Sequence, residues 1–153
     1  MTTTFADYAA SQDARNTIQL NVTKWTLMLC DALKQNYIDY SIKSHKRSLD
    51  RGGSIDYHQK QIDELKNGEC DYEFIIESGR KYHKIIMVID NGPNRMGPSR
   101  SCHAFVDKKT GEIYKSSSWK SAAKGVRYDL RIIEQREWLL QNADWASSYL
   151  YAK

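Results

Sequence analysis

Two adjacent side chains, Cys102 and His103, have the types that most directly suggest chemistry, either as a thiol nucleophile with its base or as metal ligands. Neighbouring residues of a strand point to opposite faces, so these two cannot easily serve one site. The other histidines, His45, His58 and His83, add no zinc-ligand spacing. We therefore expect no metal and no catalytic residue here, with Cys102 buried and His103 facing solvent.

Three acidic residues, Asp90, Asp107 and Glu112, form a second candidate set, because carboxylates from adjacent strands can hold a divalent ion. Each also lies at a predicted strand end beside a turn, where acids form local hydrogen bonds, and we favour that structural interpretation. The loop 91–100 follows a strand, as phosphate-binding loops do, but it has no GK[ST] motif and no helix begins after it. The sequence therefore predicts a non-catalytic protein without a cofactor.

The strongest candidate for function is the stretch 95–128, in which aromatic and basic side chains are interleaved. It carries eight basic residues against two acids, and a local excess of positive charge attracts polyanions. Aromatics exposed beside cations on a sheet form a stacking surface for single-stranded nucleic acid. The predicted nucleic-acid-binding residues are Arg95, Arg100, Phe105, Lys108, Lys109, Tyr114, Lys115, Trp119, Lys120, Lys124 and Arg127.

The orientation of Phe105 separates a binding surface from a core. Strand alternation places Phe105 on the face of His103 and Asp107. Ala104 and Val106 then occupy the opposite face, and if these small apolar residues face the core, Phe105 is exposed, as binding requires. The alternative is that helices cover both faces and that the aromatics seal the sheet onto them.

Length and composition limit the class of protein. A chain of 153 residues fits one domain that can bury a core without disulfides, and its 41% hydrophobic content is ordinary for a globular protein. No apolar run approaches the length of a bilayer, and residues 1–15 do not resemble a secretory signal, so we expect no membrane contact. Cys30, Cys70 and Cys102 are an odd number without a CxxC motif, which indicates reduced thiols.

The first element needed to position the basic stretch is a long helix. From about Asp13, apolar residues recur every three or four positions as far as Tyr40. Further apolar residues widen the stripe, so we expect neighbours on more than one side, and oligomerisation through this helix stays open. These widening residues are Leu20, Leu27 and Met28. Residues 44–54 read as a connection to a second helix, capped by Ser54 and ended by Gly68.

Strand patterns follow from Tyr72. The runs YEFIIE, KYHKIIMVID, SCHAFVD, EIYK and VRYDL are β-rich and separated by turns, and a C-terminal helix is predicted from Ile132 to Leu150. The sequence thus predicts an α+β fold, with an antiparallel meander of about four to five strands, an N-terminal helix pair and a C-terminal helix. We divide the single domain 1–153 into a helical extension (1–70), a sheet module (71–130) and a C-terminal helix (131–153).

The segment HAFVDKKTGEIYK, followed by SWK and AAKGVRYDL, resembles a module in small uncharacterised proteins of tailed bacteriophages, cyanophages among them. That pattern runs approximately HxFVDKxTGDxYKxxSWxAPAKGxR; this chain has Ala122-Ala123 where the pattern has a proline. The resemblance covers about residues 72–130 and carries no established activity. It implies a phage accessory protein in the host cytoplasm or the virion. Its partners would be single-stranded nucleic acid or, as the alternative, phage or host proteins that it contacts as a virion or interaction component.

Overall fold

The computed structural model describes residues 4–92 and 97–151. Its elements are α1 (Phe5–Asp50), α2 (Ile55–Lys66), β1 (Tyr72–Ser78), β2 (Tyr82–Ile89), β3 (Ser99–Asp107), β4 (Glu112–Lys115), β5 (Tyr128–Asp129), α3 (Ile133–Asn142) and a 3₁₀ helix (Ser148–Leu150). The five strands form one antiparallel sheet in the order β1-β2-β3-β4-β5. This confirms the predicted α+β meander with its N-terminal helix pair and C-terminal helix.

Helix α1 is longer at both ends than its apolar periodicity predicted, with 46 residues. It begins early because Thr4 caps it: the Thr4 hydroxyl accepts a hydrogen bond from the Asp7 amide at 3.1 Å. Residues 44–50, predicted as part of a connection, continue the helix, and the chain turns at Gly52, whose φ of +86° suits glycine. At 1.5 Å per residue α1 is about 69 Å long. The sheet, with strands of at most nine residues, is far shorter.

The middle of α1 packs on one face of the sheet, which we call the inner face. Val22, Leu29 and Leu33 of the helix have no exposed surface and belong to the main hydrophobic core. Burying each such side chain contributes roughly 1.5–3 kcal/mol. The residues that the inner face contributes to this core are Phe74, Ile85, Ala104, Val106, Ile113 and Tyr128.

Helix α1 has neighbours on more than one side, as expected, since the sheet and α2 both pack on it, but the residues that suggested them are not the ones covered. Leu20, Leu27 and Met28, predicted to contact further neighbours, are exposed, and Leu20 keeps 72 % of its surface open to solvent. In the described chain, the core that α1 forms with the sheet and the C-terminal elements includes the stripe of Val22 and Leu29. Farther along, α2 packs on α1, and Ile38, about five turns beyond Leu20 on the same side of the helix, is buried.

The C-terminal helix is shorter than predicted, since α3 ends at Asn142 instead of continuing to Leu150. The carboxylate of Asp144 accepts hydrogen bonds from the backbone amides of Ser148 at 3.1 Å and Tyr149 at 3.3 Å. These side-chain bonds replace the helical ladder and form a turn. The turn brings Tyr149 and Leu150 into the core, where both are buried.

Candidate nucleic-acid interface

A β-bulge between β2 and β3 decides which side chains of β3 face outward. Ile85 pairs with Ala104 and Ile86 pairs with Cys102, so His103 has no partner on β2. An extra residue of this kind interrupts strand alternation. His103 is 7 % exposed and Cys102 is half-buried. The prediction that His103 faces solvent and Cys102 is buried is therefore wrong.

The inner face holds His103 in its uncharged form. Its ring meets Phe74 edge-on, and its Nε2 lies 2.7 Å from the Tyr149 hydroxyl. Burial lowers the pKa of His103 to about 4, and burial raises the pKa of the Cys102 thiol. With His103 bonded to Tyr149, and Cys102 held as a neutral thiol, the two do not form a nucleophile–base pair.

Phe105 lies on the opposite face, which we call the outer face. The outer face is formed by Tyr82, Lys84, Phe105 and Tyr114, with Trp119 above them. Phe105 thus points away from the core residues Ala104 and Val106, as alternation predicted, yet it is only 3 % exposed. The prediction that Phe105 itself is exposed is wrong.

Phe105 is covered by individual side chains that pack on its ring. The Tyr82 ring packs edge-on at 5.4 Å between centroids, and the Lys84 Nζ lies 5.7 Å from the Phe105 centroid. Phe105 is also paired with Tyr114 across the β3–β4 ladder. The aromatic cluster is therefore covered by polar-tipped side chains whose charged or hydroxyl ends reach solvent.

The loop 116–127 carries Trp119 to the edge of this cluster. A bridge between Ser116 and Ala122 closes the base of the loop. Trp119 remains 39 % exposed. Its ring centroid lies 4.5 Å from the Lys84 Nζ and 5.6 Å from the Arg100 Cζ, both within cation–π distance. The outer face thus presents one open indole beside two cations.

Only some of the predicted binding residues lie together on the outer face near Trp119. The predicted residues that lie together here are Arg100, Phe105, Tyr114, Trp119 and Lys120. Lys124 is exposed on the loop 116–127, and Arg127, half-buried, donates its backbone N–H to the Ile113 carbonyl at 2.7 Å. Arg95 lies outside the described residues.

Three predicted lysines are not among the residues grouped around Trp119. Lys108 donates to the Gly79 carbonyl at 3.1 Å and so stabilises the β1–β2 turn. Lys109 lines a hollow against α1, with Arg15 and Gln19. Lys115 pairs with Ala104, which places it on the inner side of β4, and its Nζ lies 3.9 Å from the Tyr151 ring. The tertiary structure therefore divides the basic stretch between two faces.

Four residues that sequence reasoning did not assign to the site complete it. Arg80, Lys81, Tyr82 and Lys84 come from the β1–β2 turn and the start of β2, before the stretch 95–128. Together with Phe105 and Lys120 they line a cavity of about 260 Å³. A signal was present in the sequence, because alternation places Tyr82 and Lys84 on one face of a strand. The pairing of that strand with β3 was needed to connect them to Phe105.

The three acidic candidates do not meet as one set, because Asp90 lies far from Asp107. Asp107 lies opposite Tyr82 at the start of β2 and Asp90 follows its end, so about 26 Å of strand separates them. The Asp107 carboxylate accepts from the Lys109 amide at 2.8 Å and the Asp90 carboxylate from the Gly92 amide at 2.9 Å. The structural interpretation of these two acids is confirmed. In the part of the chain that the structure describes, no three His, Cys, Asp or Glu side chains are grouped to hold a metal ion.

A larger cleft, of about 450 Å³, lies between α1, α2 and the start of β1. Its lining includes four carboxylates and no lysine or arginine. These acids are Glu64, Glu69, Asp71 and Asp90. A polyanion is repelled from this cleft, so its electrostatic character is opposite to that of the cavity beside Phe105.

Comparison with known proteins gives a family. The family described as "Family of unknown function (DUF7717)" matches residues 5–152, nearly the whole chain, and the protein belongs to it. No curated protein and no solved structure matches the chain. None of the helices in the described ranges has the length and apolar character that a bilayer crossing requires.

Proposed function

We propose that the protein is a non-catalytic accessory protein that binds single-stranded nucleic acid through the outer face of its sheet. The observation that carries this proposal is Trp119, which is 39 % exposed beside Lys84 and Arg100. A base stacked on an aromatic ring is worth roughly 1–3 kcal/mol, and every base has a face that can stack. Lys84 neutralises a phosphate, which supplies affinity without sequence preference, while Arg100 beside the ring is paired with Glu77 at 2.9 Å.

The buried position of Phe105 changes its part in this function. Phe105 supports the surface from beneath and leaves stacking to Trp119. Lys84 lies within reach of both rings, at 5.7 Å and 4.5 Å from their centroids. When a base stacks on Trp119, the Lys84 ammonium is free to turn toward a phosphate, so the lysine exchanges one favourable contact for another.

The biological setting is also part of the proposal. The segment His103–Arg127 resembles a module of tailed-phage proteins, which supports a role in an infected cell or in the virion. An accessory protein in that setting meets single-stranded intermediates of replication or packaging.

The test is fluorescence anisotropy of a labelled ten-residue oligothymidylate with the full chain at several salt concentrations. For a single strand, log K falls with log salt with a slope of about −0.7 per phosphate contact. Lys84→Glu combined with Lys120→Glu removes two contacts and should make the slope shallower by about 1.4 and weaken binding at least tenfold.

The matched control is Lys109→Glu combined with Arg15→Glu, which makes the same total charge change in the hollow on the α1 side of the molecule. We expect it to weaken binding much less than a change on the outer face. Equal losses in both variants would show that net charge alone drives binding. Absence of binding at low salt would overturn the proposed function.

A second candidate function, protein–protein interaction, is favoured by exposed apolar side chains in the first half of α1. Phe5, Tyr8 and Leu20 are exposed large apolar side chains on one helix. Light scattering after size-exclusion chromatography tests for self-association: a dimer that Leu20→Glu converts to a monomer supports it. If the protein stays monomeric at high concentration and binds the oligonucleotide, the results support nucleic-acid binding and not self-association.

A further inference from the structure

The cavity on the outer face has a definite shape and size. The β1–β2 turn forms one wall, Tyr82 supplies aromatic surface over the buried Phe105, and Lys120 of the loop 116–127 also lines the cavity. Its volume of about 260 Å³ lies just below the range of about 300–1,000 Å³ typical of pockets for drug-sized ligands. A cavity of this size accommodates one nucleotide unit and excludes a longer run of strand.

The charge of the lining favours an anion. Four cations line the cavity: Arg80, Lys81, Lys84 and Lys120. Glu77 is the acid among the lining residues, and it accepts a hydrogen bond from the Arg100 guanidinium at 2.9 Å. Because that contact offsets the charge of Glu77, the electrostatic potential in the cavity is set by the cations.

The aromatic part of the lining suits a planar ring. Tyr82 packs edge-on against both Phe105, at 5.4 Å, and Tyr114, at 6.0 Å between centroids. These two contacts hold the Tyr82 ring in place, so the aromatic wall is pre-organised before a ligand arrives. A base or sugar placed against this wall leaves its phosphate directed to the lysines at the rim.

Lys84 connects this cavity with Trp119. It lines the cavity, and its ammonium lies 4.5 Å from the indole centroid. On this basis, and resting on the proposed function, we propose that the cavity is a subsite for one nucleotide unit of the bound strand, next to the unit that stacks on Trp119. The phosphate between the two units is then held by Lys84.

The experiment is an NMR titration of the ¹⁵N-labelled full chain with thymidine 5′-monophosphate, thymidine and inorganic phosphate as separate probes. The monophosphate should shift the amides of Gly79, Lys81 and Lys120, and the other two probes should bind at least tenfold more weakly. Lys81→Ala combined with Lys120→Ala should weaken binding of the monophosphate at least tenfold. Lys109→Ala, on the other face, should leave it unchanged.

The outcomes separate the subsite from the proposed function. If inorganic phosphate binds as tightly as the monophosphate, the cavity is an anion site only and the subsite is wrong. If the monophosphate shifts none of these amides while the ten-residue oligothymidylate still binds, the subsite is wrong and the proposed function stands. If neither ligand binds, both are wrong.

Discussion

The two faces of the sheet bury their central residues almost equally but cover them differently. Ile85 on the inner face is fully buried and Phe105 on the outer face is 3 % exposed. Ile85 lies in the core formed with α1, whereas Phe105 lies beneath the side chains of Tyr82 and Lys84. Burial by itself therefore does not distinguish a structural face from a binding face. The two faces differ in the groups that cover the buried residues. A packed helix is held in place, whereas lysine side chains can be displaced by a ligand.

The largest loss of stability is expected from a substitution on the inner face. Leu29→Ala removes a fully buried side chain from the helix–sheet core and should lower the free energy of unfolding by about 3–5 kcal/mol. Leu20→Ala, on the exposed side of the same helix, is the matched control and should cost less than about 1 kcal/mol. Urea denaturation followed by circular dichroism measures both. Equal losses of unfolding free energy in the two variants would show that Leu20 makes a contact as important as those of Leu29 in the core.

Acid should act on the inner face as well. The folded pKa of His103, about 4, lies below its ordinary value of 6.5 because burial disfavours the charged form. Between these values the unfolded chain binds the proton and the folded chain does not, so stability is complete above pH 6.5 and falls as the pH drops. From pH 7 to pH 4.5 the loss from this group is about 2–3 kcal/mol.

The control for the acid effect is His103→Gln, which keeps a hydrogen-bonding group near the Tyr149 hydroxyl. Nearby Asp144 opposes the burial effect on the pKa of His103, and burial also lowers the pKa of His83. The variant therefore retains part of the acid sensitivity. Its unfolding free energy should fall by about 2–3 kcal/mol less than that of the natural chain over the same pH range. An identical pH profile would contradict a neutral, buried His103.

On the outer face the expected effect is smaller. Phe105→Leu keeps most of the apolar volume, and the overlying Tyr82 and Lys84 side chains can settle onto the smaller residue, so we expect a loss of about 1 kcal/mol. Thermal unfolding provides the measurement. A loss as large as that of Leu29→Ala would show that the outer face is a second core, and the comparison between the faces would fail.

The smallest effect on stability is expected from Lys84→Ala. It removes cation–π contacts to Phe105 and Trp119 at a partly exposed site, which are worth about 0.5–1 kcal/mol. The same variant should weaken oligothymidylate binding several-fold, measured by anisotropy. A variant that loses stability but keeps its affinity would assign Lys84 to the structure and remove it from the binding surface.

Much of the fold could be predicted from the sequence because the signals are local. The turn at Gly111, with φ +76°, and the stop after α2 at Gly68, with φ +82°, follow from the residues themselves. Ser54 caps α2 as predicted, accepting from the Tyr57 amide at 3.4 Å. The start of α1 and the end of α3 were predicted wrongly. In each case a single side chain, Thr4 for α1 and Asp144 for α3, forms a hydrogen bond that apolar periodicity does not reveal.

The candidate site was predicted less completely. Basic and aromatic residues of 95–128 were recognised as a group, but Lys109 and Lys115 lie away from Trp119, and Lys84 joins it from another strand. Which side chains meet depends on the pairing of β2 with β3 and on the path of the loop 116–127. Neither is encoded in the spacing of neighbouring residues.

The sequence by itself determined the α+β class, the order of the strands and the concentration of positive charge in one part of the chain, because periodicity, turn chemistry and composition act locally. Only the tertiary structure decided which face each residue occupies. The bulge at His103 turned that residue inward, the β3–β4 pairing placed Tyr114 beside Phe105, and the loop 116–127 returned Trp119 to Lys84. These are long-range pairings, and a shift of one residue in register exchanges the two faces of a strand.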